Sequence, residues 1–262
     1  VEKGKLEEAM EHYRRALTLS PDSPEAHLNI ADAYLSRREP EQALHHYRKV
    51  LEIKPDSPKA RLGIGRVLAQ AGNDEAAMSE FRQTFALDPQ FPAGHFFLAR
   101  TLLRCGEVES ALLHFEKAVE LTPKAAVVHN ELGATYHLLG QDRKAIIHYR
   151  EALRFDPRMI NTVKRLSWLR STSRDDAVRD CLDALELAQV VCEAVEYRHP
   201  GAVATLAAAY AECGQFKEAV ATMAKAITLA QEAGQENAVK EFESMRDLYR
   251  TGQPSRQPER IQ

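Results

Sequence analysis

The 262-residue sequence predicts an all-α fold made of antiparallel helix pairs, and three observations carry that prediction. Pro21, Pro55, Pro89, Pro123 and Pro157 recur every thirty-four residues. Small and aromatic residues return at fixed columns between them. Glycines stand midway, where one helix has to stop and the next begin. A period of this length marks a repeat array, in which each unit buries its apolar face only against its neighbours. Function is therefore to be sought on a surface rather than in a closed pocket.

If each closing proline is counted as position 32, the full units run 24–57, 58–91, 92–125 and 126–159. Position 8 holds Ala31, Gly65, Ala99 and Gly133; position 20 holds Ala43, Ala77, Ala111 and Ala145; position 24 holds Tyr47, Phe81, Phe115 and Tyr149. Small residues let helices approach, and the rings fill the space between them. Position 7 is Ile30, Ile64, Leu98 and Leu132, position 11 is Tyr34, Leu68, Leu102 and Tyr136, and position 30 is Ile53, Leu87, Leu121 and Phe155. This spacing is helical and gives two amphipathic helices per unit. Gly72, Gly106 and Gly140 supply the left-handed residue that ends each first helix, and Ser23-Pro24 and Ser57-Pro58 supply a capping hydroxyl and a first-turn proline. In the first full unit Arg38 replaces the glycine, and Pro40 starts the next helix.

Extended backwards, the pattern places Gly4, Ala9, Tyr13, Ala16 and Leu19 in the second helix of a unit whose first helix is missing, and the chain opens without Met, as if cut from something longer. After Pro157 the rhythm breaks. Leu166, Ser167 and Trp168 still fit a first helix, but 171–176 reads as an insertion and 177–197 as one long helix. A regular unit returns with Leu206, Ala207, Tyr210, Gly214, Ala219, Ala226 and Leu229; Gln231 stands where proline is expected, so that helix should run on to about Gly234. The segment Glu236 to Arg250 is amphipathic and suits a capping helix. The expected organisation is thus a regular array over 1–159 (a truncated repeat and four full ones), an irregular pair over 160–199, a final repeat with its cap over 200–250, and a flexible tail over 251–262 that reads as a natural terminus.

These residues resemble the tetratricopeptide repeat: small at positions 8, 20 and often 27, aromatic at 24, proline at 32. The resemblance covers 24–159 and implies a right-handed α-solenoid whose inner, concave wall takes the ligand. The stretch from Leu166 to Asp180, with the final unit and LYRTGQP, is also similar to the ending of large bacterial members of this family. In some of those, the resemblance implies, the repeats follow a membrane-embedded glycosyltransferase-like or other catalytic region.

On each first helix, positions 4, 7, 8 and 11 share one side, and positions 2, 5, 9, 12 and 13 share the other. The first side is core. The second carries Leu28, Leu62, Phe96, Asn130 and Lys164 at position 5, and Asp32, Arg66, Arg100, Ala134 and Trp168 at position 9. Leu35, Leu103 and His137 follow at position 12, and Arg104 at position 13. Leu62, Phe96, Arg66, Arg100 and Arg104 would form one patch, suited to a peptide with apolar side chains and a carboxylate, because arginine forks hold carboxylates bidentately. The carboxylate clamp of chaperone-binding relatives is absent, since Leu28, Asp32, Gly63, Ala93 and Phe97 occupy its places. An asparagine ladder at position 6 is absent too: Asn29 fits, whereas Gly63, Phe97 and Glu131 do not.

Composition narrows the field further. With 44% apolar and 28% charged residues and a net charge of -3, the chain lacks the basic excess of a nucleic-acid binder. Its most apolar run, Ala202 to Ala211, is about half the length of a membrane span. Cys105, Cys181, Cys192 and Cys213 form no C-x-x-C pair and read as small buried fillers, a usage that favours a reducing compartment. Gly63-Ile64-Gly65 lacks the third glycine of a dinucleotide fingerprint, and His129-Asn130-Glu131 lacks the downstream cysteines of a deaminase; His129 reads as core filler. A histidine column at position 23 (His12, His46, His114, His148, with Glu80 in the remaining unit) invites a metal reading. Neighbouring repeats, however, hold those rings about 8 to 10 Å or more apart, too far for one ion bound at about 2 Å. Trp168 is expected to pack on the irregular pair.

The expectation is a non-enzymatic scaffold without metal or cofactor that binds a protein or peptide segment in its groove; self-association through the exposed first repeat is the further partner reading. The alternative is an accessory, substrate-recruiting C-terminal region of a larger bacterial enzyme of the glycosyltransferase-like kind. Further repeats upstream would favour the first reading, and a membrane series or transferase motif the second.

Overall fold

The recurring prolines end helices in the structure, a computed structural model that describes residues 3–257, with side chains from Leu6 onward. Among the described residues there are fourteen helices and no strand. The second helices α3 (Pro40–Ile53), α5 (Asp74–Leu87), α7 (Val108–Leu121) and α9 (Asp142–Phe155) are each 14 residues long and stop two residues short of Pro55, Pro89, Pro123 and Pro157. Proline lacks the N–H for another turn, and its ring clashes with the preceding carbonyl. Where Gln231 replaces it, α13 (Phe216–Glu232) continues to 17 residues.

The first helices α2 (Pro24–Ser36), α4 (Pro58–Gln70), α6 (Pro92–Arg104), α8 (Ala126–Leu138) and α12 (Pro200–Glu212) begin with proline in four cases. Ser23 and Ser57 each accept the N–H of the third helical residue at 3.3 Å, satisfying one of the free donors of the first turn. Gly72, with φ 79°, closes α4 with paired bonds from Gly72 N to Ala69 O and from Asn73 N to Leu68 O. Arg38 makes the same motif at φ 60°, bonding to Leu35 O and passing Glu39 N to Tyr34 O, so the glycine's role is filled by a residue that has to bear the left-handed strain.

The chain forms two compact units, 1–123 and 124–262, whereas the change of rhythm in the sequence comes after Pro157. In the first unit α1 (Lys3–Leu19) packs on α2 as a second helix without its mate, and pairs α2–α3, α4–α5 and α6–α7 follow. Column pairing explains their closeness. A β-carbon at Gly65 would lie 2.5 Å from the Phe81 ring, and one at Gly63 would lie 2.3 Å from the Tyr47 ring of the preceding repeat. Tyr47 and Phe81 are in turn fully buried.

The second unit pairs α8 with α9, α10 (Ile160–Thr172) with α11 (Cys181–Ala194), and α12 with α13, and ends on α14 (Glu236–Arg250). The long helix expected over 177–197 is shorter, for two reasons. Asp180 caps α11 by accepting from Asp183 N at 3.1 Å, while Arg170 takes the Val178 carbonyl at 2.7 Å and the carboxylates of Asp180 and Asp183 at 2.8 and 2.7 Å. At the other end Glu196 and Tyr197 turn left-handed, at φ 51° and 56°. The 173–180 connection is thus held in place, with Val178 fully buried beneath it.

The expectation of a fraying tail needs correction over 251–257. Buried Ser255 shares a 3.0 Å hydrogen bond with the Tyr249 phenol, Gln257 N bonds Thr172 O at 3.0 Å, and Arg256 pairs with Glu212 at 2.7 Å. Polar atoms left by α10 and α12 hold this strap without any apolar period, which is why the sequence pattern missed it; 258–262 lie outside the described residues. The cysteines also differ from expectation. Cys192 alone is buried; Cys105 is exposed, and Cys181 and Cys213 are half-buried. Cys105 and Cys213 cap helix C-termini just before glycine turns, which face solvent.

Candidate partner-binding surface

In the first unit, α2, α4 and α6 border a run of two clefts. One, of about 630 Å³, is lined by Leu35, Ser36, Arg38, Pro40, Arg66, Val67, Gln70 and Ala71. The other, of about 520 Å³, is lined by Arg66, Ala69, Gln70, Phe97, Arg100, Thr101 and Arg104. Arg66 and Gln70 border both.

The three expected arginines differ in state. Arg66 Nη1 lies 3.2 Å from Asp32 Oδ1 and its guanidinium 5.0 Å from the Phe97 ring centre. Asp32 also accepts from the Tyr47 phenol at 2.6 Å, so a buried ring aims the acid at the arginine. Burial, then the hydrogen bond to Asp32, push the Tyr47 hydroxyl far above its ordinary range, so it stays a donor. Arg104 is forked onto Asp74, its Nε at 2.9 Å from Oδ2 and its Nη2 on Oδ1. Arg100 is exposed, lies 5.7 Å from the Phe96 ring centre and makes no ion pair with a described residue. It is the guanidinium whose donors are open to an incoming anion.

The apolar part of the expected wall is thinner than the sequence implied. Leu62 is 7% exposed and Leu35 4%, so both belong to the core, and Leu35 shows one cleft only its edge; Leu28 and Phe96 are half-buried. Leu35 belongs to a core cluster with Ala31, Ala43, Tyr47, Ile64 and Val67, and adjacent helices pack closely there because Gly63 and Gly65 carry no β-carbon. Phe97, Gln70 and Asp74 were missed as groove residues. Phe97 sits one position outside the arc assigned to the wall, and Asp74 meets Arg104 from 30 residues away, a separation no single-helix pattern encodes.

The wall residues of the second unit are engaged with their own neighbours. Asn130 is buried, accepting from Thr162 Oγ1 at 2.8 Å and donating to Glu131 at 3.1 Å, so it ties α8 to α10 instead of facing a partner. His137 Nδ1 is 3.0 Å from Asp142 Oδ1, and Asp142 accepts from Ser173 at 2.6 Å. Lys164 is half-buried on α10. Trp168 packs partly on the core of this unit and, with His137, Met245, Leu248 and Arg256, borders a cleft of about 490 Å³.

Sequence profiles described as TPR repeat match residues 1–37 and 99–140, and profiles described as tetratricopeptide repeat match 28–92, 126–159 and 201–232. The chain belongs to the tetratricopeptide repeat family. Its fold is the all-α solenoid of that family, and it is a protein-interaction scaffold in the general sense in which such repeats are. Residues 160–200, where the rhythm breaks, are matched by none of these profiles. Among solved structures, a chain of the APC/C hetero-tetramer Cut9-Hcn1 aligns with a TM-score of 0.70 at 16% identity over 92% of this chain and 46% of that one. MamA (41-end) from Desulfovibrio magneticus RS-1 aligns with a TM-score of 0.56 at 24% identity over 66% of this chain and 96% of that one. The present chain spans less than half the length of the Cut9-Hcn1 chain, and at these identities the likeness is one of fold. A comparison with curated protein sequences finds no match. No helix among the described residues is long and apolar enough to cross a membrane.

Proposed function

We propose that the α2–α4–α6 surface captures a segment of another protein that is extended or helical, carries apolar side chains and places a carboxylate on Arg100. The observation that supports this most is the contrast among three neighbouring arginines: Arg66 and Arg104 already hold Asp32 and Asp74, while Arg100 lies over an aromatic ring without an acid. A guanidinium whose donors are not taken up by an acid can fork onto an incoming carboxylate with two parallel bonds. Phe96 and Phe97 supply the apolar ground beside it, and an acidic ligand can also exchange onto Arg66 by displacing Asp32.

An array of short peptides graded in carboxylate and leucine or phenylalanine content, probed with the full chain, identifies ligands. Arg100→Glu should then weaken capture of the best peptide by about ten-fold, or about 1.4 kcal/mol, with helicity unchanged. Arg66→Glu should weaken it less, because that arginine starts paired. Equal capture by wild type and Arg100→Glu removes this reading.

A further inference from the structure

The histidine column at position 23 finds its partner inside each repeat. His46 Nδ1 lies 2.8 Å from Nδ1 of His27 at position 4 of the same unit; His114 lies 3.0 Å from His95, and His148 3.1 Å from His129. Each contact joins the first helix of a pair to the second. In the remaining unit the same two positions hold Arg61 and Glu80, whose Nη1 and Oε2 are 3.3 Å apart. Four repeats thus bridge one pair of positions, three with imidazoles and one with an ion pair.

Hydrogen-bond bookkeeping fixes the protons in the two pairs of the first unit. His27 Nε2 lies 3.1 Å from the Pro21 carbonyl and His95 Nε2 3.2 Å from that of Pro89. A carbonyl only accepts, so these Nε2 atoms carry hydrogen, and in the neutral ring Nδ1 is bare. It accepts from the Nδ1–H of His46 or His114. The pair therefore holds a single proton between its facing nitrogens. One acid equivalent added at His46 Nε2 keeps that bond but charges a half-buried ring that stands beside Arg14. A second would set two N–H groups head to head, and the contact would be lost.

The surroundings add to the resistance. Around the first pair stand Tyr34, stacked 5.7 Å from His46, His45 edge-on at 5.3 Å with Glu52 of α3 acting on it, and Arg14 of α1. Around the second, Phe85 of α5 stacks on both rings at 4.5 and 5.7 Å; Lys117 and Glu120 of α7 act on His95, and Arg82 of α5 acts on His114. Glu120 is itself paired with Lys117 at 2.9 Å. Burial first, then the neighbouring imidazoles of His27 and His45, and last Arg14 lower His46 to about 4, and burial above all lowers His95 and His114. Two nitrogens alone fall short of a zinc ligand set, and no group of three histidine, cysteine or acidic side chains converges among the described residues.

We propose that His27–His46 and His95–His114 are an acid-sensitive latch that joins α2 to α3 and α6 to α7 at neutral pH and releases them on acidification, while the Arg61–Glu80 pair keeps α4 on α5. The helices released are those that carry Asp32 on one side and Phe96, Arg100 and Arg104 on the other. The folded pairs bind fewer protons than the unfolded chain does, so their contribution is complete above the ordinary imidazole range and falls away as pH drops toward the lowered values.

The test uses the full chain. Imidazole NMR titration should place His46 at least about one pH unit below an ordinary histidine, with His27 and His95 held as Nε2–H tautomers at neutral pH. The thermal midpoint should fall by several degrees between pH 7.5 and 5.0. Replacing both pairs with the combination found in the other repeat (His27→Arg with His46→Glu, and His95→Arg with His114→Glu) should remove most of that fall. An equal fall in the replaced protein overturns the proposal. Should the replaced protein fail to fold, the titration of the unaltered chain decides, and ordinary midpoints with exchanging tautomers overturn it.

Discussion

The phenol of Tyr47 donates to Asp32 Oδ1 at 2.6 Å, and the same oxygen lies 3.2 Å from Arg66 in the next repeat. A fully buried ring thus organises an ion pair between neighbouring repeats, linking core packing to the candidate binding surface. Tyr47→Phe should keep the ring packing and lose the bond, costing about 1 kcal/mol, less than a buried charged bond because Asp32 is exposed. Urea unfolding with an unchanged m-value would check this. The freed Asp32 should loosen Arg66, so acidic peptides should bind the variant no more weakly than wild type.

Gly65 sits where a β-carbon would meet the Phe81 ring at 2.5 Å. Gly65→Ala gains up to about 1 kcal/mol of helix propensity but forces the ring or helix aside at about 1–3 kcal/mol, so a net loss is expected. A thermal midpoint at or above wild type would contradict this packing.

Arg38 occupies the left-handed position that glycine takes in the equivalent turns at 72, 106 and 140. Arg38→Gly should raise stability by about 1 kcal/mol by removing the β-carbon strain of that conformation. Chemical denaturation of the single variant measures it.

Glu212 anchors the C-terminal strap: Arg179 Nε is 2.9 Å from one of its oxygens and Arg256 Nη1 2.7 Å from the other. Glu212→Gln leaves Arg256 without its acid and Arg179 with Asp176 alone, and should cost about 2 kcal/mol. Hydrogen exchange should accelerate at Gln257, whose N–H is held by Thr172. Unchanged protection there would mean that the strap is held by Tyr249 and Ser255 instead.

Burial raises the Cys192 thiol to about 11, whereas Cys105 lies open to solvent. At pH 8 the buried thiol remains protonated and shielded. Iodoacetamide should therefore modify Cys105 first and Cys192 only on unfolding, as peptide mass spectrometry would show.

Helix pairing, helix ends and the family were legible in the sequence, because each rests on local chemistry repeated at a fixed interval. Proline stops α3, α5, α7 and α9, glycine or its arginine substitute turns the chain, and small residues face rings across each pair. The candidate surface was legible in part. Arg66, Arg100 and Arg104 do lie together around the clefts, but which of them is already paired depends on Asp32 and Asp74, brought in from 34 and 30 residues away. Leu62 and Asn130 share the arc of the candidate wall on a single-helix projection, yet both are buried in the structure.

The sequence by itself determined that this chain forms stacked helix pairs, since periodicity and turn chemistry act within a few residues. Tertiary structure alone decided that position 23 meets position 4 across a pair, that residues 173–180 are gripped by Arg170, and that the tail returns to α10. Those contacts join residues 8 to 85 positions apart through directional hydrogen bonds. A one-dimensional pattern records burial, but it does not record where a polar side chain finds its partner.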